Sequence, residues 1–342
     1  MTTLRLPPLP TVRDLVKLYR LNAVKQLSQN FLMDERMIAK IVKNAGKVKS
    51  SHIVEIGPGP GGITRAILRK MPEKIIVIEK DKRFKPFLGM LEESFATVNG
   101  KMDIIYDDIL KVNMEKMFPE EMKKNWNDDC PDINLIGNLP FNISTPLIIK
   151  WLHEISEKRG PWTMGRTRMT LTFQKEVAER LVAEETEFQR CRLSVMAQAW
   201  TEPKLKCIIP GNAFVPKPEV DVGVVTFTPL IKPRTKHNFK LFEKITRHVF
   251  CYRQKYNIKC ISTLFPIELR KQLSLMMFGL CDLDPNLIST YHSVEDINKL
   301  CTAYKYLCEK HPEIVNYEFR ASPKLLSSKL IEDVQVKEVA VS

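Results

Sequence analysis

The sequence predicts an α/β fold in which a doubly wound, mostly parallel sheet is followed by a small helical domain. Three observations carry this prediction. Short β-rich runs alternate with helical stretches through residues 51–150, a glycine-rich loop follows the first run, and the β signal fades beyond Pro233. Strands that alternate with helices indicate parallel pairing, because each crossover helix returns the chain to the same edge of the sheet.

The elements follow from hydrophobic spacing and from breaker residues. The first four predicted strands are His52–Glu55, Lys74–Glu79, Met102–Tyr106 and Ile133–Gly137, with helices over residues 62–70, 82–93 and 145–155. Residues 156–170 are rich in Gly, Pro and Arg and are predicted to form a loop. A helix near 174–185 and strands near 191–199, 204–208 and 222–228 follow, and helical periodicity then runs to about residue 317.

These elements divide the chain into four regions. Residues 1–25 are a targeting segment or an N-terminal helix, residues 26–231 are the α/β domain, and residues 232–320 are the helical domain. Residues 321–342 alternate Lys and Glu with little periodicity and are predicted to be a disordered tail.

Composition excludes several protein classes. The 342 residues are 44% apolar and 27% charged, which is typical of a folded domain and excludes a disordered, collagen-like or small disulfide-rich protein. The eight cysteines form no CxxC pair, so free thiols are expected and no metal site is predicted. No apolar run approaches the ~20 residues that span a bilayer. The net charge of +13 has two explanations: an acidic partner, such as nucleic acid or anionic lipid, or solubility alone.

The positive charge is concentrated in residues 232–281, where eleven basic side chains face two acidic ones. Phe239, Phe242 and Phe250 recur at helical spacing and are predicted to form a buried stripe. The basic residues then occupy the remaining face, and a nearly all-basic face indicates phosphate contacts. The candidate nucleic-acid contacts in this segment are Arg247, Arg253, Lys255 and Lys259.

The N-terminal thirty residues contain five basic residues and one acid, Asp14. Val12, Leu15, Val16 and Tyr19 fit one face of a helix. A basic, acid-poor amphipathic start is typical of a mitochondrial presequence, and an ordinary first helix over the core is the alternative.

The glycine-rich loop runs from Glu55 to Gly62 and includes Gly57, Gly59 and Gly61. Glycine lets a ligand approach the backbone where a side chain would clash. The spacing formally satisfies the dinucleotide pattern GxGxxG, but pyrophosphate binding needs backbone N–H donors, and Pro58 and Pro60 have none. A cofactor without phosphates loses nothing there. The spacing of Glu55, Gly57, Gly59 and Gly61 resembles the ExGxGxG loop of class I methyltransferases, which bind S-adenosylmethionine.

Acidic residues follow the next two strands. Glu79 is placed to accept hydrogen bonds from both hydroxyls of a cofactor ribose, with Lys80 beside it. Asp108 is placed to accept a bond from an adenine amine, and Ile109 to pack on the ring. Each acid alone could simply cap a turn. Ligands of doubly wound folds nevertheless bind at this edge of the sheet.

The fourth strand is followed by Asn138-Leu139-Pro140-Phe141, which suits methyl transfer to an exocyclic amine. Such a nitrogen is a poor nucleophile because its lone pair is delocalised into the ring. The side-chain oxygen of Asn138 and the backbone carbonyl of Leu139 or Pro140 can each accept an N–H bond and favour the pyramidal amine. Phe141 can stack on the base, so positioning supplies most of the rate.

At this point the chain resembles a known family. Asn138–Phe141 resembles the NLP(F/Y) motif of the rRNA adenine N6,N6-dimethyltransferases, which belong to the class I methyltransferases with a seven-stranded, mostly parallel sheet. Residues 29–32 (QNFL), 173–181 (FQKEVAERL) and 214–221 (FVPKPEVD) resemble three further motifs of that family. The chain departs from the family pattern at Ser28, where relatives usually have Gly, and at Val222-Gly223, where many have Ser-Ala. Neither departure removes a group that the chemistry needs.

The resemblance implies that S-adenosylmethionine is the cofactor and that Gln29, Asn30 and Leu32 lie over it. Within the family's mitochondrial branch, the expected reaction is dimethylation of two adjacent adenosines in the 3′-terminal hairpin loop of small-subunit rRNA. Hairpin-loop bases are accessible to a protein once they leave their stack. Four basic residues of the 156–170 segment are expected beside the pocket as RNA contacts, or form a solvated loop: Lys158, Arg159, Arg166 and Arg168.

The implied partners are the mitochondrial small-subunit rRNA and the ribosomal small subunit in the matrix, with the enzyme acting as a monomer and without a membrane. The alternative is a mitochondrial transcription accessory factor that uses the same fold to bind DNA or the RNA polymerase. A nicotinamide-dependent oxidoreductase is a third hypothesis, which nicotinamide binding without S-adenosylmethionine binding would support.

Overall fold

The computed structural model describes residues 30–252 and 254–319, together with residues 7, 10–12 and 14. The predicted N-terminal helix and the tail at 321–342 therefore lie almost entirely outside the described residues. The chain divides into two compact units, Met1–Phe239 and Lys240–Ser342, and this division lies eight residues beyond the boundary expected at 231/232.

Unit 1 is built on a seven-stranded sheet, as the fold prediction requires. The strands of this sheet are β2 (His52–Ile56), β3 (Lys74–Ile78), β4 (Lys101–Ile105), β5 (Ile133–Gly137), β6 (Arg168–Gln174), β7 (Thr201–Ile209) and β9 (Val222–Pro229). Their order across the sheet is β4-β3-β2-β5-β6-β9-β7, in which β4, β3, β2, β5 and β6 are parallel and β9 runs antiparallel to both of its neighbours. Two short strands, β1 (Phe31–Leu32) and β8 (Phe214–Val215), pair separately.

Within residues 30–238 the structure describes six α-helices beside the sheet: α1 (Glu35–Asn44), α2 (Gly62–Leu68), α3 (Lys85–Ala96), α4 (Phe141–Ser156), α5 (Lys175–Val182) and α6 (Arg192–Trp200). The central strands β2 and β5 are buried along their whole length, as expected for a parallel sheet covered on both faces. The first four strands and the helices between them lie within a few residues of their predicted places. The carboxyl ends of β2, β3 and β5 consequently meet at one edge.

Two predictions in the second half of unit 1 are wrong. Residues 192–200 form helix α6 instead of a strand, in which six of the nine residues are buried and the other three are partly buried. The segment 156–170 is not one loop, because Gly160–Met164 forms a short 3-10 helix and β6 begins at Arg168.

Unit 2 is helical, as predicted beyond residue 232. Its helices are α7 (Phe239–Val249, which starts at the unit boundary), α8 (Asn257–Ile261), α9 (Arg270–Cys281) and α10 (Val294–Lys310). Phe239 and Phe242 are buried, as the predicted stripe requires, whereas its third member, Phe250, is half-buried and lies one residue beyond α7. Among the described residues, no helix is long and apolar enough to cross a membrane.

Candidate active site at the carboxyl edge of the sheet

The glycine-rich loop joins β2 to α2 through left-handed backbone. The φ angles of Gly57, Gly59 and Gly61 are +65°, +54° and +84°, a region that residues with a side chain rarely adopt. A Cβ atom at Gly61 would lie 2.5 Å from Cδ1 of Leu91 on α3. The loop is therefore shaped by glycine at these three positions, and it leaves bare backbone facing the sheet edge.

Glu79, just beyond β3, holds this loop from the side. Its Oε2 accepts a hydrogen bond from the N–H of Gly59 at 3.0 Å, and its Oε1 accepts one from the N–H of Asp81 at 2.8 Å. Burial raises the pKa of the Glu79 carboxyl, and these backbone bonds partly offset the rise. Each carboxylate oxygen retains a further acceptor site, so the side chain is suited to receive hydroxyl groups as predicted.

The end of β5 carries Asn138, and the structure gives its side chain two partners. The side-chain Oδ1 accepts a bond from the hydroxyl of Thr172 at 2.9 Å, and the Nδ2 donates to the backbone carbonyl of Asn30 at 3.2 Å. The same Thr172 hydroxyl accepts a bond from the N–H of Leu139 at 3.2 Å. The amide of Asn138 is thus held between β6 and the segment before β1.

The rest of the Asn-Leu-Pro-Phe turn leads directly into α4, which begins at Phe141. The carbonyl oxygen of Pro140 accepts bonds from the N–H groups of Ile143 and Ser144, at 3.1 and 3.2 Å. Because Pro140 serves the first turn of α4, the carbonyl of Leu139 is the better placed of the two predicted backbone acceptors to receive a substrate amine.

Strands β1 and β8 form a cover beside this turn. Phe31 pairs with Val215 and Leu32 with Phe214, which brings together two segments that lie about 180 residues apart in the sequence. The N–H of Met33 also donates to the carbonyl of Ala213 at 2.9 Å. The QNFL and FVPKPEVD segments are therefore joined through one two-stranded antiparallel sheet. Gln29 itself lies outside the described residues.

The loop, Glu79, the Asn138 turn and this cover surround one cavity. Its walls are formed by Asn30, Phe31, Leu32, Gly57, Pro58, Gly59, Pro60, Gly62, Ile63, Glu79, Asn138, Leu139, Pro140, Phe141 and Phe214. Nine predicted site residues are among them. Phe31, Ile63 and Phe214 were missed as individual site residues, although Phe31 and Phe214 belong to motifs that the sequence analysis recognised.

The predicted adenine contacts lie at the end of the neighbouring strand β4, outside the walls of this cavity. Oδ2 of Asp108 pairs with the ammonium of Lys80 at 2.9 Å, and this bond lowers the pKa of the Asp108 carboxyl. Its Oδ1 accepts a bond from the N–H of Leu110 at 3.0 Å. Ile109 is buried beside it. Asp108 therefore also closes a turn, which was the alternative explanation for an acid at this place.

Glu55 has a different environment from the one that its place in the motif suggests. Its side chain is not among the walls of the cavity, and it is only 1% exposed. Burial raises its pKa to about 8, so the carboxyl group is mostly protonated at neutral pH. The group that interacts with this carboxyl is Thr64, on the first turn of α2.

Most of the basic residues of the 156–170 segment interact with groups of their own chain. The guanidinium of Arg166 donates to the backbone carbonyls of Trp126, Asp128 and Pro229, and its expected contact with RNA stays a prediction. Arg168 is half-buried at the start of β6. Arg159 pairs with Glu157, and the ammonium of Lys158 lies 4.9 Å from the ring centre of Trp126.

In unit 2, the candidate RNA contacts Arg247, Lys255 and Lys259 are exposed, and Arg253 lies outside the described residues. Two other basic residues of the 232–281 segment hold the fold together. Lys244 donates to the hydroxyl of Tyr304 at 2.7 Å, and Arg270 donates to the carbonyl of Phe265 at 3.1 Å. Tyr256, which follows Lys255 directly, is 55% exposed.

Comparison with known proteins gives this site a family context. The sequence pattern of the family described as ribosomal RNA adenine dimethylase matches residues 20–302. The chain is 50% identical over 331 residues to the mitochondrial dimethyladenosine transferase 1 of Xenopus tropicalis, covering 96% of this chain and 95% of the relative. It is also 50% identical over 329 residues to the Homo sapiens protein of that name, covering 96% and 94%.

Two solved structures share the fold. A dimethyladenosine transferase from Plasmodium falciparum is 22% identical, with a TM-score of 0.60 over 81% of this chain and 98% of that chain. The 23S rRNA methyltransferase ErmE is 19% identical, with a TM-score of 0.55 over 81% of this chain and 100% of that chain. These two structures support the assignment of the sheet and its helices.

Proposed function

The chain belongs to the ribosomal RNA adenine dimethylase family and is an S-adenosylmethionine-dependent rRNA adenine dimethyltransferase, and we propose that its targets are two adjacent adenosines of the mitochondrial small-subunit (12S) rRNA. These adenosines lie in the 3′-terminal hairpin loop. The modification supports assembly of the small subunit, and hence mitochondrial translation, in the matrix. The observation that carries the proposal is the orientation of Asn138 at the end of β5, opposite the glycine-rich loop.

The residues around the cavity fit S-adenosylmethionine. The left-handed glycines at 57 and 59 expose backbone without side chains, Pro58 and Pro60 offer no donors for a pyrophosphate, and Glu79 presents a carboxylate for the ribose. The cofactor supplies an electrophilic methyl group. We assign its ribose to Glu79, its adenine to Asp108 and Ile109, and the cover over it to Asn30 and Leu32.

The chain itself contributes acceptors for the substrate amine. Oδ1 of Asn138 and the carbonyl oxygen of Leu139 each accept one N–H bond, which localises the nitrogen lone pair and directs it at the methyl group. Phe141 stacks on the flipped adenine, an interaction worth about 1–3 kcal/mol per base. No strong base is required, because the methylated nitrogen carries a positive charge and loses its proton readily to water.

The proposal is tested with a primer-extension assay, since two methyl groups on N6 block Watson–Crick pairing and stop the polymerase at the modified adenosines. In cells that lack the enzyme, the wild-type chain restores the stop. Asn138→Ala and Gly59→Ala are expected not to restore it. Asn142→Ala is the matched control, because Asn142 is exposed on the first turn of α4. Full restoration by Asn138→Ala would contradict the assignment of the site.

The same cells separate this proposal from the alternative of a transcription accessory factor. If methylation is the function, Asn138→Ala leaves mitochondrial transcript levels unchanged while 12S rRNA loses its two dimethyladenosines. If the chain acts chiefly on DNA or the polymerase, the deletion lowers transcript synthesis and Asn138→Ala restores it. The similarity to relatives named mitochondrial supports the compartment, and sedimentation of the purified chain tests the expected monomer.

A further inference from the structure

One polar group at the site belongs to none of the four recognised motifs. Thr172 lies in β6, where it is fully buried between Leu171 and Phe173, and its hydroxyl faces the Asn138 turn on β5. We propose that Thr172 is a positioning residue that fixes the direction in which the Asn138 amide faces. This inference rests on the catalytic role proposed above for Asn138.

The polarity of the hydrogen bonds determines the orientation. The backbone N–H of Leu139 can only donate, so at 3.2 Å the Thr172 oxygen accepts. The single hydroxyl hydrogen of Thr172 is then directed to Asn138 at 2.9 Å, where it requires an acceptor, the side-chain oxygen. The backbone carbonyl of Asn30 can only accept, so it requires the Asn138 nitrogen at 3.2 Å. The carbonyl of Asn30 fixes the nitrogen end, because it can only accept. The Thr172 oxygen has a second lone pair, but a flipped amide would leave its buried hydroxyl hydrogen without the Asn138 acceptor, so the hydroxyl favours the observed oxygen end.

This orientation matters for the chemistry. A carbonyl oxygen has two acceptor sites, so Oδ1 of Asn138 can accept from Thr172 and still accept an N–H from the substrate amine. A flipped amide would present N–H donors to the amine and oppose its lone pair. The two orientations of an amide have nearly the same shape, so packing alone discriminates poorly between them. The Thr172 hydroxyl supplies the discrimination together with the carbonyl of Asn30.

Kinetics on the full-length protein tests this role, with S-adenosylmethionine and an RNA hairpin that carries two adjacent adenosines. Thr172→Val keeps the shape and removes the hydroxyl, whereas Thr172→Ser keeps the hydroxyl. Thr170→Val is the matched control, because Thr170 is buried two residues earlier on the same face of β6. Thr172→Ala is a second hydroxyl-free variant in case Thr172→Val does not fold.

For Thr172→Val we expect kcat to fall by about threefold to tenfold, as for the loss of one neutral hydrogen bond. The KM values for RNA and for S-adenosylmethionine should stay within about twofold. Thr172→Ser and Thr170→Val should keep kcat within about twofold of wild type. The rescue by serine is the part that a role in packing alone would not predict, because serine also removes the methyl group.

Three results would overturn the inference: a wild-type kcat in Thr172→Val and Thr172→Ala, a rise in KM without a fall in kcat, or a kcat for Thr172→Ser as low as that for Thr172→Val. Asn138→Ala, measured in parallel, separates this failure from that of the proposed function. An active Asn138→Ala would remove the role of Asn138 itself. An inactive Asn138→Ala with a fully active Thr172→Val would remove only the role of Thr172.

Discussion

At the scale of single residues, the shape of the site depends on glycines whose backbone conformation and surroundings exclude a side chain. Gly61 is one such residue. Its φ of +84° is left-handed, and Cδ1 of Leu91 lies 2.5 Å from the position that a Cβ atom would take. Gly89 on α3 is the opposite case, because no atom lies within 4 Å of the place where its Cβ would be. The two glycines therefore predict opposite responses to the same substitution.

We expect Gly61→Ala to lower the free energy of unfolding by about 1–3 kcal/mol, from left-handed strain and from displacement of Leu91. Gly89→Ala should raise it by about 0.5–1 kcal/mol, because alanine is the better helix former and fits without contact. Urea unfolding of both variants measures the two values. A stabilised Gly61→Ala would contradict the role of the left-handed turn.

The buried carboxyl of Glu55 predicts a pH dependence. Burial raises its folded-state pKa from 4.5 to about 8, so between these values the folded chain binds a proton that the unfolded chain has released. The free energy of unfolding therefore falls as pH rises through this window, by about 1 kcal/mol per pH unit for this group. The variant Glu55→Gln has no ionisable carboxyl at this position, so its stability lacks this pH-dependent contribution.

We accordingly expect the stability of Glu55→Gln relative to wild type to increase from about pH 5 to about pH 8 and to level off above it. Chemical denaturation at a series of pH values gives the difference curve directly. A difference that does not change with pH would show that Glu55 is ionised in the folded protein at neutral pH.

At the scale of elements, the sequence predicts correctly those strands and helices that have a clear hydrophobic period and are bounded by breaker residues. The strand Ile133–Gly137 was predicted with its exact bounds, and helix α6 was predicted as a strand. In α6 the residues Leu193, Val195, Ala197 and Ala199 occupy alternate positions, which imitates one face of a strand. The structure buries that helix on nearly all sides, so no amphipathic signal of period 3.6 survives in the sequence.

The candidate site shows the same limit. Asn138 and the glycine-rich loop were identified from the sequence because each belongs to a motif of consecutive residues. Thr172 was missed because its role depends on β6 pairing beside β5, where Leu135 lies opposite Met169 and Gly137 opposite Leu171. Its one signal in the sequence is a hydroxyl between the apolar residues Leu171 and Phe173, and Thr170 carries the same signal between Met169 and Leu171.

The contact between α5 and β9 gives a prediction about elements. A Cβ at Gly223 on β9 would lie 2.3 Å from Cβ of Ala178 on α5, so Gly223→Ala forces the helix away from the sheet. We expect a loss of about 1–3 kcal/mol in the free energy of unfolding, as for overpacking of a core. This place coincides with the departure from the family pattern at Val222-Gly223.

A double-mutant cycle checks that explanation. Ala178→Gly alone should destabilise by about 1 kcal/mol through helix propensity. In the double variant Ala178→Gly/Gly223→Ala, the clash is removed, so its total loss should be smaller than the sum of the two single losses. Additive losses would mean that Gly223 is required for a reason other than the approach of Ala178.

At the scale of the whole molecule, the net charge of +13 has two kinds of contributors. Lys244 and Arg270 of unit 2 bind groups of their own chain, and Arg166 of unit 1 does so as well. Lys255 and Lys259 of unit 2 are exposed, and no acidic residue occurs between Glu243 and Glu268. The charge available to a polyanion is therefore smaller than the total and is enriched in one stretch of the chain.

This distribution predicts a specific salt dependence of RNA binding. Each lysine that neutralises a phosphate releases counterions, so the slope of log affinity against log salt becomes shallower by about 0.7–0.9 for each contact that is removed. We expect Lys255→Ala/Lys259→Ala to weaken hairpin binding and to reduce this slope by about 1.5. Lys111→Ala/Lys116→Ala, which removes two exposed lysines of unit 1, is the charge-matched control and should leave the slope unchanged. Fluorescence anisotropy between about 50 and 200 mM salt measures both. An equal reduction in the two variants would mean that net charge alone attracts the RNA, whereas a reduction confined to the unit 2 variant would make that stretch the binding face.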